Sequence, residues 1–335
     1  MSAPTPTGHS PAPQPSERPA APVAAESDEA AVAEAAASED KAARFEAERS
    51  RLVGVAYRML GSRSDADDVV QDAWLRFSAT STPIDNPAAW LTTVVTRLAI
   101  DELRTARRTR ADYVGPWLAE PTLDPPGADD GSGDPADQAV LMESITIGFL
   151  AVLERLSPLE RVVFVLHDVF AMPLTEVAEV IERSDAATRQ LAKRARDHLA
   201  VDRPRFRPDP NEIRALTEQF LAAAGGGDIE TLQALLTDDV IAVSDGGPER
   251  RAARAPIVGP HRVARYFTNL TARLDPATEL HLVRANGQVG VYLTLHDEPH
   301  SLVVADWRDG KVAAAYTVLN PDKLRSFHHD WLATR

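Results

Sequence analysis

Residues 174–198 read "LTEVAEVIERSDAATRQLAKRARDH", two short helical patterns separated by the break "ERSD". Val177, Ala178 and Ile181 form the apolar face of the first helix, and Ser184 is placed to cap the second. In that second helix Leu191, Ala195 and Leu199 line one side. Arg189, Lys193 and Arg196 fall at i, i+4 and i+7 on nearly the opposite side, flanked by Gln190 and Arg194. An apolar back and a front of donors suit a recognition helix that contacts phosphates and base edges in a major groove. A solvated basic helix in an ordinary bundle would carry the same pattern. The spacing therefore predicts a helix-turn-helix and nominates DNA as its partner without excluding the bundle.

Upstream, "SDADDVVQDAWLRF" at residues 64–77 is a second amphipathic helix, with Val70, Ala73, Trp74 and Phe77 as its apolar stripe. Ser64 is its expected N-cap, with Asp67 three positions on. Asp65, Asp68 and Asp72 share another face, where like charges at i, i+3 and i+4 repel by roughly 0.2–0.5 kcal/mol per pair. The helix dipole offsets this near the N-terminus, but Asp72 lies two turns in. Such a strip works against the helix that carries it. Before it, a helix ends near Leu60, with Phe45, Leu52, Ala56 and Met59 buried and Gly61 as the stop. After it comes a long helix opened by Trp90, whose Arg97, Arg104, Arg107, Arg108 and Arg110 give a basic flank. An aromatic beside bases suits unstacked DNA, and plain core packing is the alternative for Trp90.

The 335 residues are enough for two or three domains. No apolar run has the length of a membrane span, and no signal pattern opens the chain, so a cytoplasmic protein is expected. The absence of cysteine excludes disulfides, thiol catalysis and Cys-type zinc sites. The net charge of −14 argues against nucleic acid only as an average, because acids and bases are segregated. Residues 183–207 alone hold eight Arg or Lys against three Asp.

Composition divides the chain into a disordered Pro/Ala-rich tail (1–38), a first helical domain (39–112), a Pro/Gly/Asp-rich linker (113–137) and the helix-turn-helix domain (138–203). An α+β domain (209–325) and a short C-terminal tail (326–335) follow. In the α+β domain two helices interrupted by a Gly triplet precede alternating strands around Val289–Leu295, Leu302–Val304 and Val312–Val318. Asn286-Gly287 and Asp309-Gly310 are hairpin signals.

Together, "DADDVVQDAWLRF", "NPAAWLTTVVTRLAIDELRTARR" and "LERLSPLERVVFVLHDVFAMPLTEVAEVIERSDAATRQLAKRAR" resemble regions 2 and 4 of a bacterial extracytoplasmic-function sigma factor, over about residues 42–200. The resemblance implies that Asp65, Asp68 and Asp72, with Val69 and Leu75 as apolar contacts, dock on the β′ coiled coil of RNA polymerase. Self-repulsion in the free helix would become complementarity in the complex. It implies further that the long helix melts and reads the −10 element. Region 4 would dock on the β flap and read the −35 element through Arg189, Lys193 and Arg196.

One subgroup of that family adds a SnoaL-like cone after region 4, with three hallmark motifs. Here "WLAEP" stands at Trp117–Pro121, "DGGPER" begins at Asp245, and "NPDKL" runs from Asn320 to Leu324. The cone is implied to regulate the sigma regions through these motifs: Trp117 and Leu118; Asp245, Gly246 and Gly247; and Asn320, Pro321, Asp322, Lys323 and Leu324. Trp117 and Leu118 are apolar residues in a polar segment, and are expected to pack near Asn320–Leu324. SnoaL-like cones also occur as enzymes, so His281, His296, Asp306 and Asp245 are acid/base candidates by residue type, while His328 and His329 read as solvated tail. None is assigned a catalytic role. The expectation is a monomeric sigma factor without cofactor or metal, able to take a small ligand in the cone. The competing readings are a cone enzyme or ligand sensor targeted to DNA, and a DNA-binding regulator that never docks on polymerase.

Overall fold

The computed structural model describes residues 23–124, 145–199 and 210–335. Three helices make the first domain: α1 (Val23–Leu60), α2 (Arg63–Ala79) and α3 (Pro87–Ala111). α1 begins inside the stretch expected to be a disordered tail, and it ends at Gly61, whose φ of 68° lies in the left-handed region. Phe45, Leu52, Ala56 and Met59 are buried as their spacing requires. The expected cap of α2 is corrected by two residues: Ser62 is the N-cap, its hydroxyl accepting from the Asp65 amide at 3.1 Å. Ser64 lies within the helix and reaches the linker instead.

The second domain has α4 (Ile147–Leu153), α5 (Pro158–Phe164), a wide helical turn (Val165–Val169), α6 (Leu174–Val180) and α7 (Asp185–Leu199). Ser157 and Glu160 form a reciprocal capping box at the start of α5. Between α6 and α7 Glu182 takes a positive φ of 55°, which turns the chain, and Ser184 accepts from the Ala187 amide at 3.3 Å. Val177, Ala178, Ile181, Leu191, Ala195 and Leu199 are all buried, so the apolar backs of the two helices face each other.

In the third domain α8 (Pro210–Gly226) runs through two of the three glycines and stops at Gly227, with φ 71°. α9 (Ile229–Ala234), β1 (Leu236–Asp245), β2 (Ile257–Val258) and α10 (Pro260–Thr271) follow. The meander β3 (Thr278–Ala285), β4 (Gln288–Leu295), β5 (Glu298–Arg308) and β6 (Lys311–Val318) leads into α11 (Pro321–Ala333). The sheet order is β2-β1-β6-β5-β4-β3, antiparallel except for β1 against β6. Asn286-Gly287 and Asp309-Gly310 occupy hairpin turns with positive φ throughout.

The stretch expected to be a C-terminal tail is helical instead. Phe327 and Trp331 of α11 pack on Tyr292 with ring centroids 5.0 and 5.2 Å apart, burying an aromatic face that the polar residues around them had masked in the sequence. Two cores result. One lies between one face of the sheet and α8, α9 and α10. The other runs without interruption from α1–α3 through α4–α7 to the opposite sheet face and α11.

Candidate nucleic-acid interface

Along α7, Arg189, Gln190 and Lys193 are exposed, and neither Arg189 nor Lys193 makes an ion pair among the described residues. Arg194 is held by Glu160 (Nε to Oε1, 2.9 Å) and Arg196 by Asp168 (Nε to Oδ1, 2.7 Å). The basic front therefore divides into open donors in its N-terminal half and anchored ones behind them. Ser184 is committed to capping.

On α3, Trp90 stands against Phe77 with centroids 5.7 Å apart, at the end of a run of rings continuing through Trp74 to Phe45. It is half-buried, so packing takes one side of the ring and leaves another accessible. Arg97 meets the helix-turn-helix break: its guanidinium pairs with Glu182 at 3.0 Å and donates to the Val180 carbonyl at 3.3 Å. Arg104 pairs with Asp101, while Arg107 and Arg108 are exposed.

The acidic strip of α2 is solvent-facing at Asp68 and Asp72, with Asp65 half-buried in the first turn. Leu75 is 55% exposed beside them, an apolar side chain with no core to join. Val69 is the exception to the expected docking face. It is only 8% exposed, because its position follows the core stripe of Val70, Ala73 and Phe77.

The linker motif is not a free connector. Tyr113 to Asp124 lies between the first domain and the cone, and its centre is the carboxylate of Asp245, which has no exposed surface. Oδ1 accepts from the Tyr113 hydroxyl at 2.5 Å and the Gly247 amide at 3.0 Å. Oδ2 accepts from the Leu118 amide at 2.8 Å and Lys323 Nζ at 2.7 Å. Lys323 also donates to the Leu118 carbonyl and lies 3.9 Å from the centre of the Trp117 ring, whose π system is shared with Arg110 at 3.5 Å. Asn320 caps α11 by accepting from the Asp322 amide, and its Nδ2 donates to the Tyr113 oxygen at 2.9 Å. Gly246 packs against the Arg250 backbone, and Gly247, with φ 59°, lies against Asn320 so closely that a side chain would collide. Leu324 is fully buried, and Pro321 opens the helix.

Burial pulls the Lys323 ammonium down to about 8, with the Asp245 carboxylate opposing the shift. Burial and Asp245 together push the Tyr113 phenol up.

Two contacts here have no counterpart in the sequence reading. Glu120 accepts from the Arg63 amide at 2.7 Å and the Ser64 amide at 3.2 Å, placing a carboxylate on the N-terminus of the acidic helix. Asn286, read only as a turn residue, is wholly buried. Its side chain accepts from the Thr122 amide and donates to the Tyr57 hydroxyl at 2.7 Å and the Ile145 carbonyl at 2.8 Å. One hairpin tip thus joins the first domain, the linker and the approach to α4. An unusually strong turn signal was present at Asn286-Gly287, but nothing local indicates what the tip inserts into.

The acid/base candidates of the cone do not converge. Asp245 is consumed by the linker. Asp306 faces α4, where Gly148 leaves room for it, and accepts from Gln288 at 2.9 Å. His281 packs on Trp331 and contacts Thr294, His296 is an exposed turn residue, and His328 contacts the Tyr292 hydroxyl at 2.7 Å. Only His329 is solvated as expected, since His328 is half-buried. The cone's own cavity, about 70 Å³, lies under α8 and α10 and is lined almost entirely by apolar side chains, with His300, Ser301 and Trp307 among the few polar ones. No cluster of His, Asp or Glu able to hold a metal occurs among the described residues.

Two helical modules, one with an acidic strip and a basic aromatic-headed helix and the other a helix-turn-helix, define a transcription initiation factor of the sigma-70 class. Residues 44–109 match the sigma-70 region 2 model and residues 148–199 a sigma-70 region 4 model. The chain is 40% identical over 291 residues to the ECF RNA polymerase sigma factor SigJ of Mycobacterium tuberculosis, spanning 83% of this chain and 91% of that one. It is 32% identical over 285 residues to the probable ECF RNA polymerase sigma factor SigI of the same species, spanning 84% and 94%. The crystal structure of M. tuberculosis SigJ superposes with a TM-score of 0.67 at 38% identity, covering 85% of this chain and 98% of that one. The chain belongs to the extracytoplasmic-function family of RNA polymerase sigma factors. It carries regions 2 and 4 followed by an α+β domain, and acts with core polymerase and promoter DNA. No described helix is long and apolar enough to cross a membrane.

Proposed function

We propose that this sigma factor docks on the β′ coiled coil through Asp65, Asp68, Asp72 and Leu75, with region 4 on the β flap, and that its own cone sets its activity. The open donors Arg189, Gln190 and Lys193 read the −35 element, with Arg194 and Arg196 holding the helix in place. Trp90, Arg97, Arg104, Arg107 and Arg108 serve the −10 element and the displaced strand. Each phosphate contact contributes to a salt-dependent affinity. The factor works as a monomer in the cytoplasm and performs no bond chemistry, a reading supported by the cone's acid/base candidates not converging on one site.

The observation that carries the regulatory part is the buried Asp245 carboxylate, which takes four hydrogen bonds from the linker, the cone loop and α11. The linker is thereby fixed on the cone, so moving it, and region 2 with it, away from the cone requires breaking a dry charged network. A small apolar ligand filling the cone cavity would act from the other face of the same sheet. Run-off transcription with core polymerase, comparing the full chain with one ending at Arg207, tests the reading. A difference in promoter output between the two supports control by the cone. Equal output from every promoter refutes that control, and no transcript from either refutes the docking and promoter assignments together.

A further inference from the structure

Between the C-terminal half of α3 and the adjacent face of region 4 lies a cleft of about 730 Å³. Arg104, Arg107, Arg108 and Arg194 border it, and no acidic side chain does. Arg107 and Pro158 also border an inner cavity of about 290 Å³, whose other charged walls are Arg110, Arg161 and Glu154. Arg104 pairs with the exposed Asp101 and Arg194 with the buried Glu160, whereas Arg107 and Arg108 make no ion pair among the described residues.

The inner cavity is under-compensated. Arg110 pairs with Glu154 at 2.6 Å, and Arg161 pairs with the same carboxylate, so one anion serves two guanidinium groups. Arg161 is 2% exposed, and its Nη2 has no hydrogen-bond partner. Burial pulls the Arg161 guanidinium down, and Arg161 and Arg110 hold Glu154 below the usual carboxylate range against the opposing effect of burial. A nearly inaccessible guanidinium with an unused donor, beside a cavity and a wider cleft whose charged walls are all arginines, with Ser157, Pro158, Leu159 and Leu191 as the uncharged ones, is an arrangement that a polyanion would complete.

We propose that this two-chambered cleft binds a compact ligand carrying several phosphate groups, either a nucleoside polyphosphate or an inorganic polyphosphate. Arginine forks match phosphate oxygens two at a time, and four arginines around one volume favour several phosphates over one. The walls come from both DNA-reading domains: Arg104, Arg107, Arg108 and Arg110 from region 2, Arg161 and Arg194 from region 4. Ligand therefore favours the arrangement in which the two regions are together. It also occupies arginines that the promoter would use, so ligand and promoter compete.

Calorimetric titration of the full chain tests this without polymerase, so its failure leaves the transcription reading untouched. The probes are sodium tripolyphosphate, GTP and orthophosphate, at physiological salt, where the Debye length is about 8 Å. Saturable tripolyphosphate binding is expected, at least about tenfold tighter than orthophosphate, a difference of about 1.4 kcal/mol. GTP binding more tightly than tripolyphosphate identifies the nucleoside form; equal or weaker GTP binding identifies the inorganic form. Arg107→Ala, on an exposed position that spares the fold, is expected to weaken binding about tenfold or more. Arg214→Ala on the cone helix is expected to leave it unchanged, and tripolyphosphate is expected to displace a labelled promoter fragment. The proposal is overturned by the absence of saturable binding, by equal losses in Arg107→Ala and Arg214→Ala, or by binding that leaves the promoter fragment in place.

Discussion

Two of the places at which region 2 is tied to the rest of the molecule differ in kind. At one, Arg97 reaches across to Glu182 in the helix-turn-helix break, with the two side chains 50% and 71% exposed. At the other, Lys323 and Asp245 meet at 6% and 0% exposure, with Tyr113, Leu118 and Gly247 completing the shell. An exposed pair contributes about 0–1 kcal/mol and is screened by salt. A dry pair gains little net stability over an apolar substitute, yet removing one partner leaves the other charge stranded at about 3–5 kcal/mol. The surface contact is therefore weak and sensitive to salt, while the linker junction specifies one arrangement and penalises every other.

Removal of the buried cation should separate the two places most strongly. Lys323→Met leaves the Asp245 carboxylate without its ion-pair partner and should destabilise the chain by about 3–5 kcal/mol in chemical denaturation. Lys323→Met combined with Asp245→Asn should lose less than the sum of the single losses, by about 0.5–3 kcal/mol, because the two groups share one network. Additive losses would show that the junction is not a unit.

Next in size is the backbone of the cone loop. Gly247 has φ 59° and abuts Asn320, so Gly247→Ala meets both strain and a clash. It should cost about 1–3 kcal/mol and speed proteolysis at the linker motif. Undiminished protection there would show that the linker is held by other contacts, Asn286 foremost.

The pH dependence follows from Lys323, whose folded-state value near 8 lies below its ordinary one of 10.5. Below about pH 8 both states are protonated, and the folded state bears the full burial cost. Between there and about 10.5 the unfolded chain holds the extra proton, so this group's contribution to stability rises with pH. Relative to Lys323→Met, the intact chain should gain up to about 1.4 kcal/mol per pH unit in that window. A flat difference would mean that the ammonium keeps its ordinary affinity for protons.

Smallest of all, Arg97→Ala should change global stability by less than about 1 kcal/mol, and any effect should fade with added salt. A loss of several kcal/mol would erase the distinction between the two places.

The helical modules were legible because their signals are local. The 3.6-residue recurrence of Leu191, Ala195 and Leu199, with the arginines and lysine opposite, leaves one way to turn the helix, and the structure buries that face. Local signals also misplace what they cannot resolve. Ser62 and Ser64 are both competent caps, and Glu120, 56 residues from Ser64, engages the second. Val69 borders both the core stripe and the acidic face of α2, and only packing assigns it to the core. β1 and β3 were missed, the first because its buried run of Val240, Ala242 and Val243 begins among exposed aspartates. Phe327 and Trp331 are four apart, but the intervening charge made the C-terminus read as a tail.

The family, the two DNA-reading modules and the three motifs that mark the linker, the cone loop and the start of the last helix can be read without the fold, since each is written in contiguous residues. That the three motifs form one site emerges from the folded chain alone. Leu118 and Asp245 lie 127 residues apart and Leu118 and Lys323 lie 205 apart. Hydrogen bonds over such separations depend on how the sheet, α11 and region 2 close on one another, and a local pattern of side chains carries no record of that closure.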